Sequence, residues 1–249
     1  GPAVIHYRDI GDYLSREDKL AIVEGSRLEE MDWDELAPNE AGDWINQRDP
    51  RYGTWQPIGG KGDKKERRDS MFSAYRRGVE TGRDAWVNNF SLRMLFDSCD
   101  RLVSTYNAER RRIHTGNKTA RLNEKSVRNL VTTDETRIKW TGHLYRFAAS
   151  NRPIRHDVGA VYLGMYRPFC KQWLNVSDGL VSVKTIVSEF FPTPAHDNIG
   201  YYVLGVGAKN DFALLVSNCV VDVQVLGAGQ NGQFFPRWTW EKVSGRHAA

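Results

Sequence analysis

Only three cysteines occur in 249 residues, Cys99, Cys170 and Cys219, and they stand far apart. They form no CxxC pair, and no histidine lies at zinc-ligand spacing to any of them. That argues against a disulfide framework and against a zinc site, and a reducing cytoplasm is the compartment that fits. No stretch approaches the roughly 18 apolar residues needed to span a bilayer. No N-terminal segment has the charged, apolar, small-residue order of a signal peptide. Nucleotide and hydrolase signatures are missing as well: there is no GxxxxGK(S/T) loop, no GxGxxG after a strand, no GxSxG and no HExxH. Gly205-Val206-Gly207 is a lone glycine pair without a following helix and reads as a hairpin turn. Glu124-Lys125 and Glu241-Lys242 match only the last residues of a restriction-nuclease motif. The six histidines are scattered, and there is no internal repeat or low-complexity tract. Nothing here argues for a catalytic centre, and none is expected.

The composition is that of an ordinary globular chain, 40% hydrophobic and 27% charged, long enough for one large domain or two small ones with a sizeable core. The net charge of +4 is weak evidence for a nucleic-acid partner by itself; the placement of the charges carries more. Gly1-Pro2 resembles the remnant of a cleaved purification tag. The native segment is therefore expected to begin near Ala3, as an excised piece of a longer chain.

Along the chain, residues 4–7 read as a strand and Gly11 as a turn. Ser15 caps a helix whose first turn is acidic and whose apolar face, Leu20, Ile22, Val23 and Leu28, carries it to about Met31. Residues 32–66 are irregular, broken by Pro38, Pro50 and Pro57, and Trp33, Trp44, Tyr52 and Trp55 are expected to pin this stretch onto a core. Residues 61–68 are a charge run expected to be solvated, with phosphate contact the lesser alternative. Ser91 caps a second helix, whose stripe of Leu92, Leu95, Phe96, Leu102, Val103 and Tyr106 runs to about Arg112 and reads as core. Residues 108–129 hold the densest positive charge, with Arg110, Arg111, Arg112, Lys118, Arg121, Lys125 and Arg128 against Glu109 and Glu124. That segment is either a solvated helical face or a phosphate-tracking surface. From residue 154 onward the texture changes. Segments 158–165, 201–206, 212–216, 219–226 and 233–240 are rich in β-branched and aromatic residues and read as strands; residues from 243 on are expected to fray. The expected fold is α+β, a helical N-terminal half packed with a β-rich C-terminal half. Its expected parts are a tag remnant and tail strand over 1–14, a mainly helical part over 15–155, and a β-rich part over 156–249.

Polar and aromatic residues cluster in short strings: Trp44-Ile45-Asn46-Gln47-Arg48, Thr81-Gly82-Arg83-Asp84-Ala85-Trp86, Lys139-Trp140-Thr141 and Tyr166-Arg167-Pro168-Phe169. Such residues suit a surface that meets bases and phosphates, because Arg engages guanine O6 and N7 with two bonds and Asn or Gln does the same with adenine. Arg is equally a structural clamp on carboxylates and carbonyls. For Arg83, with Asp84 beside it, the buried clamp is the favoured reading. Trp44, Asn46, Arg48, Arg83 and Asp84 are therefore assigned as structural or DNA-facing. The DNA-binding candidates are Lys139, Trp140, Thr141, Arg152, Arg155, Arg167, Lys171 and Gln172, with Arg110, Arg111, Lys118 and Arg121. Lys139, Trp140, Arg152, Arg155, Arg167 and Lys171 are expected on one face, with Arg152 and Arg155 on a loop around Pro153.

Taken in order, these strings resemble the C-terminal region of the single-polypeptide Type ISP restriction–modification enzymes. The first pieces that carry the resemblance are His6-Tyr7-Arg8-Asp9-Ile10-Gly11-Asp12-Tyr13-Leu14 and Gly42-Asp43-Trp44-Ile45-Asn46-Gln47-Arg48. Gly78-Val79-Glu80-Thr81-Gly82-Arg83-Asp84-Ala85-Trp86 follows, with Asn89-Phe90 and then Ile138-Lys139-Trp140-Thr141. The last are Tyr166-Arg167-Pro168-Phe169-Cys170-Lys171-Gln172-Trp173-Leu174 and Phe235-Pro236-Arg237. Each string is weak alone; the ordered set, running over nearly the whole chain, is more specific. The resemblance implies a parent polypeptide that joins a nuclease, a helicase-like translocase, an adenine-N6 methyltransferase and a target-recognition domain. It makes residues 4 to about 14 the tail of the methyltransferase core and the rest the target-recognition domain. The Asn-Pro-Pro-Tyr type motif and the cofactor loop of that methyltransferase are absent from this sequence. No cofactor is therefore expected here, and S-adenosylmethionine, ATP and Mg belong to the parent enzyme. The implied role is sequence-specific recognition of double-stranded DNA, holding a target adenine for a methyltransferase domain of the same polypeptide that flips its base. The rival roles are a protein-docking or structural module of a phage-defence complex, or a cryptic nuclease. Base-reading residues vary with the target in such enzymes and do not carry over.

Overall fold

The computed structural model describes residues 3–40, 42–45, 47, 49–60, 69–116, 121–205, 208 and 212–240. Asn46, Arg48, Lys118, the 61–68 charge run, Glu241-Lys242 and the tail from 243 lie outside them. The chain divides into two compact units, residues 1–56 and 57–249.

The first unit holds little regular structure. Strand β1 (Ile5–Tyr7) pairs antiparallel with β2 (Asp34–Leu36). Helix α1 (Arg16–Glu24) opens on a reciprocal cap. Ser15 Oγ accepts from the Asp18 N–H at 3.1 Å, while the Asp18 carboxylate accepts from the Ser15 N–H at 3.2 Å. The helix ends at Gly25 rather than continuing to Met31, and residues Leu28–Glu30 form a separate 3-10 turn. None of the described residues of 1–56 is buried. Trp33, Trp44, Tyr52 and Trp55 are 37%, 41%, 54% and 59% exposed, so they do not pin this stretch onto a core. The Trp33 indole instead donates to the Leu28 carbonyl at 2.8 Å, and Tyr52 tilts against Trp55.

The second unit contains every buried hydrophobic residue among those described. Its N-terminal part is β3 (Arg76–Arg77), a one-turn helix α2 (Asp84–Val87), β4 (Asn88–Asn89) and the 25-residue helix α3 (Leu92–Gly116). In α3 the Ser91 hydroxyl accepts from the Met94 N–H, a weak cap at 3.4 Å. Leu95, Cys99, Leu102, Tyr106 and Ile113 recur on one face and are buried. The helix runs one turn past Arg112. Helix α4 (Glu124–Leu130) is capped by Asn123 and packs on α5 (Gly142–Ala149). No helix among the described residues is long and apolar enough to cross a membrane.

Two four-stranded sheets follow. The hairpin of β5 (Val161–Arg167) and β6 (Cys170–Asn175) is central to one of them, with β4 on its β6 side and β9 (Val220–Val221) parallel to β5. The other is antiparallel, in the order β3, β10 (Gly232–Pro236), β7 (Gly200–Leu204), β8 (Leu214–Ser217). Helix α6 (Thr185–Phe190) buries Phe190 close to Phe234 of β10. The sequence of helices over 92–149 and strands from 161 is the mixed α+β class expected from sequence. The strand bounds differ from those expected by one to five residues, most at 219–226. The predicted strand at 219–226 is only two residues long, because the chain turns at 223–226 and again around Gly227 and Gly229, both at positive φ.

Tyr202 fastens the two sheets across this turn. It is fully buried, accepts from the Gly232 N–H at 2.7 Å and donates to the Val223 carbonyl. Burial pushes its phenol up to about 12.

Candidate nucleic-acid interface

The two units differ sharply in charge. Residues 1–56 carry 13 Asp and Glu against 6 Lys and Arg, a net −7; residues 57–249 carry 18 against 29, a net +11. The modest overall charge hides this partition, and any electrostatic attraction for a polyanion belongs to the second unit.

Within that unit Arg83 stands at the centre of a polar cluster. Its side chain is 1% exposed. Nη1 donates to the carbonyls of Gly179 at 2.6 Å and Leu180 at 3.0 Å, and Nη2 donates to Thr141 Oγ1. No carboxylate among the described residues pairs with it. Burial pulls its pKa down to about 10, so it stays a cation at neutral pH. Asp84, its neighbour, faces other partners: Thr81 Oγ1 donates to one carboxylate oxygen and Tyr166 OH to the other at 3.1 Å. Arg167 stacks over the Tyr166 ring and donates to Asp222 at 3.2 Å. Asp222 has its pKa raised by burial, with Asp84 adding to the rise, while the Gln224 N–H and Arg167 oppose it.

These residues border a cleft of about 620 Å³, walled by Arg77 and Glu80, the 81–86 segment, Glu135 and Lys139, Asp222 to Gln224, and Asn231. The cleft thus brings Lys139, Arg83 and Asp84 together, with Thr141 behind Arg83 and Arg167 behind Asp222. No local sequence pattern marks Arg77, Glu135, Gln224 or Asn231 as partners in it. A second cleft, of about 560 Å³, has a mixed lining that includes Phe72, Tyr201 and Val216 together with Ser73, Arg237 and Thr239.

The other candidate side chains are held elsewhere. Trp140 is half-buried: its indole donates to the Thr132 carbonyl at 2.9 Å, and its ring stacks on Tyr145 at 5.1 Å. Arg152 lies over the Phe147 ring and pairs with Asp178. Arg110 bonds the Asn151 carbonyl at 3.1 Å, next to Arg152, so these two cations share one turn. That turn and the Arg83 cluster meet at 178–180, where Asp178 holds Arg152 and the next two carbonyls hold Arg83. Lys171 donates to Asn218 at 3.1 Å, and Gln172 lies half-buried on β6 opposite Gly164. Lys139, Arg155, Arg111 and Arg121 are exposed and have no ion-pair partner among the described residues. Trp44 is exposed in the first unit. Among the described residues no three His, Cys, Asp or Glu side chains gather as a metal site would require.

Comparison with known proteins now bears on this arrangement. The family model of the Type ISP C-terminal specificity domain matches residues 70–249. Among solved structures, the chain is similar to a nuclease-deletion mutant of the Type ISP restriction-modification enzyme LlaGI, solved with a DNA substrate mimic. The identity is 35% and the TM-score 0.80, over 96% of this chain and 22% of that one. It is also similar to the ATP-dependent Type ISP enzyme LlaBIII bound to DNA, at 25% identity and TM-score 0.74, over 97% of this chain and 15% of that one. A DrdV–DNA complex shares the fold at 20% identity and TM-score 0.74, over 95% of this chain and 22% of that one. No curated protein sequence matches. This chain therefore spans less than a quarter of the length of each of these structures, and by the family match over 70–249 it belongs to the Type ISP C-terminal specificity domains.

Proposed function

We propose that this chain recognises duplex DNA as the target-recognition domain of a restriction–modification enzyme and performs no chemistry of its own. In this reading it holds a target adenine for the methyltransferase domain of the same polypeptide. S-adenosylmethionine, ATP and Mg serve other parts of that polypeptide. The observation that carries the reading is the likeness of nearly the whole chain to an enzyme solved with a DNA substrate mimic. The +11 charge of residues 57–249 and the exposed Arg155, Arg111 and Arg121, which have no ion-pair partner among the described residues, support it, since cations free of protein carboxylates are the ones available to phosphates.

The first unit has the opposite character. It is acidic, it exposes Leu20, Val23, Leu28 and five aromatic rings, and none of its described residues is buried. An acidic surface repels DNA, and exposed apolar side chains beside it suit a protein contact. The methyltransferase domain is the partner this surface suits.

Two measurements test the reading. Anisotropy titrations of a labelled duplex with the whole chain should give a log–log salt slope of about −2 or steeper between about 50 and 200 mM salt; a flat profile refutes the DNA partner. Removing residues 1–56 should leave a cooperative melt, because the buried core lies in 57–249. It should also tighten non-specific DNA binding at low salt, because the net charge rises from +4 to +11. A shortened chain that binds DNA more weakly would place DNA contacts in the acidic unit and contradict this division of labour.

A further inference from the structure

The polar cleft is a poor seat for a phosphate. Its lining holds four carboxylates, Glu80, Asp84, Glu135 and Asp222, against three cations, Arg77, Arg83 and Lys139. A bound phosphate would add to a charge balance that is already negative. Base edges are uncharged and place donors and acceptors side by side, so a mixed lining suits them better.

Most of these side chains are already committed within the protein. Arg77 pairs with Glu80 at 2.8 Å, and Arg83, Asp84 and Asp222 are held as described. Of the charged and amide side chains in the lining, four are free of protein partners among the described residues: Gln224, Asn231, Lys139 and Glu135. They sit on two loops that wall the cleft, 132–139 and 222–231. The second loop is slender at its tip, Gly227-Ala228-Gly229, and Asn231 stands exposed at its end. The two amide-bearing positions are fixed through one phenol. Tyr202 holds the carbonyl of Val223, next to Gln224, and the N–H of Gly232, next to Asn231. A side chain that reads a base must be free at its tip and rigid at its root, and both conditions are met here.

We propose that the rim of this cleft is the base-reading surface of the domain, entering the major groove, with Gln224 and Asn231 as the main discriminating side chains. Lys139 and Glu135 add a donor and an acceptor that suit guanine and cytosine edges, while Gln and Asn amides suit adenine. Cations outside the cleft supply the phosphate contacts that set register. This rests on the DNA-recognition reading above.

The test is selection from a pool of randomised duplexes by the full chain, with bound DNA sequenced, for the unsubstituted protein and for Gln224→Ala, Asn231→Ala and Lys139→Gln. Each variant is expected to lose roughly 10- to 100-fold of its preference at one or two base pairs. Thermal melts and salt slopes should stay unchanged for the two amide variants. Should one variant fail to fold, the other two carry the same readout. Base preferences identical to the unsubstituted chain overturn the proposal, as does uniform weakening on every sequence, the mark of a phosphate contact. If the unsubstituted chain enriches no sequence but binds DNA with a steep salt slope, the base-reading rim is refuted while DNA binding stands. If it binds no DNA at all, the recognition reading itself falls.

Discussion

Arg83→Met will destabilise the fold by about 3–4 kcal/mol, a shift of several hundred-fold in the folding equilibrium. The arginine donates to two backbone carbonyls, Gly179 and Leu180, and to Thr141 Oγ1, and its guanidinium is buried. Methionine fills much of the same volume but leaves all three acceptors without a donor in a site closed to water. An orphaned buried acceptor costs about 1–3 kcal/mol. The sum is moderated because burying the cation is itself unfavourable, as its lowered pKa shows. Gly179 limits any local relaxation. It sits at a φ of +84°, and a Cβ there would lie 2.5 Å from Ile154 Cγ2. Arg83→Lys should fall between the two, since an ammonium reaches the carbonyls but not the planar fork that also serves Thr141. Urea unfolding of the three proteins measures the difference. A methionine variant within about 1 kcal/mol of the unsubstituted chain would show that the clamp carries no net stability.

Tyr202→Phe is the second large effect, about 2–3 kcal/mol. Phenylalanine keeps the ring packing and removes only the hydroxyl. The Gly232 N–H loses its acceptor and the Val223 carbonyl its donor, both inside the core. A pH dependence separates this from a packing defect. The phenol ionises near 10 in the unfolded chain and near 12 in the fold. Between those values the unfolded state sheds its proton first, so Tyr202 makes stability fall as pH rises. The phenylalanine variant lacks that contribution, and the gap between the two proteins should narrow from pH 10 to pH 12. A gap constant across that window would mean the hydroxyl is not desolvated as the structure has it. The same variant should blur sequence preference in the duplex selection more than it weakens overall DNA affinity, because it frees the segments that bear Gln224 and Asn231.

The elements legible in the sequence are those whose causes are local. Ser15 and Ser91 announce helix starts because a hydroxyl there meets an N–H three residues on, a distance set by the helix itself. Leu95, Cys99, Leu102 and Tyr106 announce a buried face because residues three and four apart share one side of any helix. The scarcity of cysteine and the missing nucleotide loops are local facts too. Where a local signal was ambiguous the expectation drifted. The first helix stops at Gly25, where a glycine, which loses the most backbone freedom on entering a helix, takes the C-cap position. The tryptophans of 33–55 stay exposed because aromatic content says how much surface can be buried, not whether a partner is present to bury it. In the same way, the apolar run at 219–226 records burial without recording direction, and a turn satisfies it as well as a strand.

The sequence by itself determined the α+β class, the helical caps and core stripes, and, through the ordered strings, the family. Tertiary structure alone decided which polar residues share a cleft. Arg77, Glu135, Lys139, Gln224 and Asn231 come from separate stretches of chain, and no periodicity links positions that far apart. Tertiary structure also sorted the arginines. Arg83, Arg110, Arg152 and Arg167 look alike in sequence to Arg155, Arg111 and Arg121, and only the fold brings carbonyls and carboxylates against the first four. A guanidinium binds whichever oxygen the fold brings within about 3 Å, and that distance is settled by long-range packing, not by neighbours in the chain.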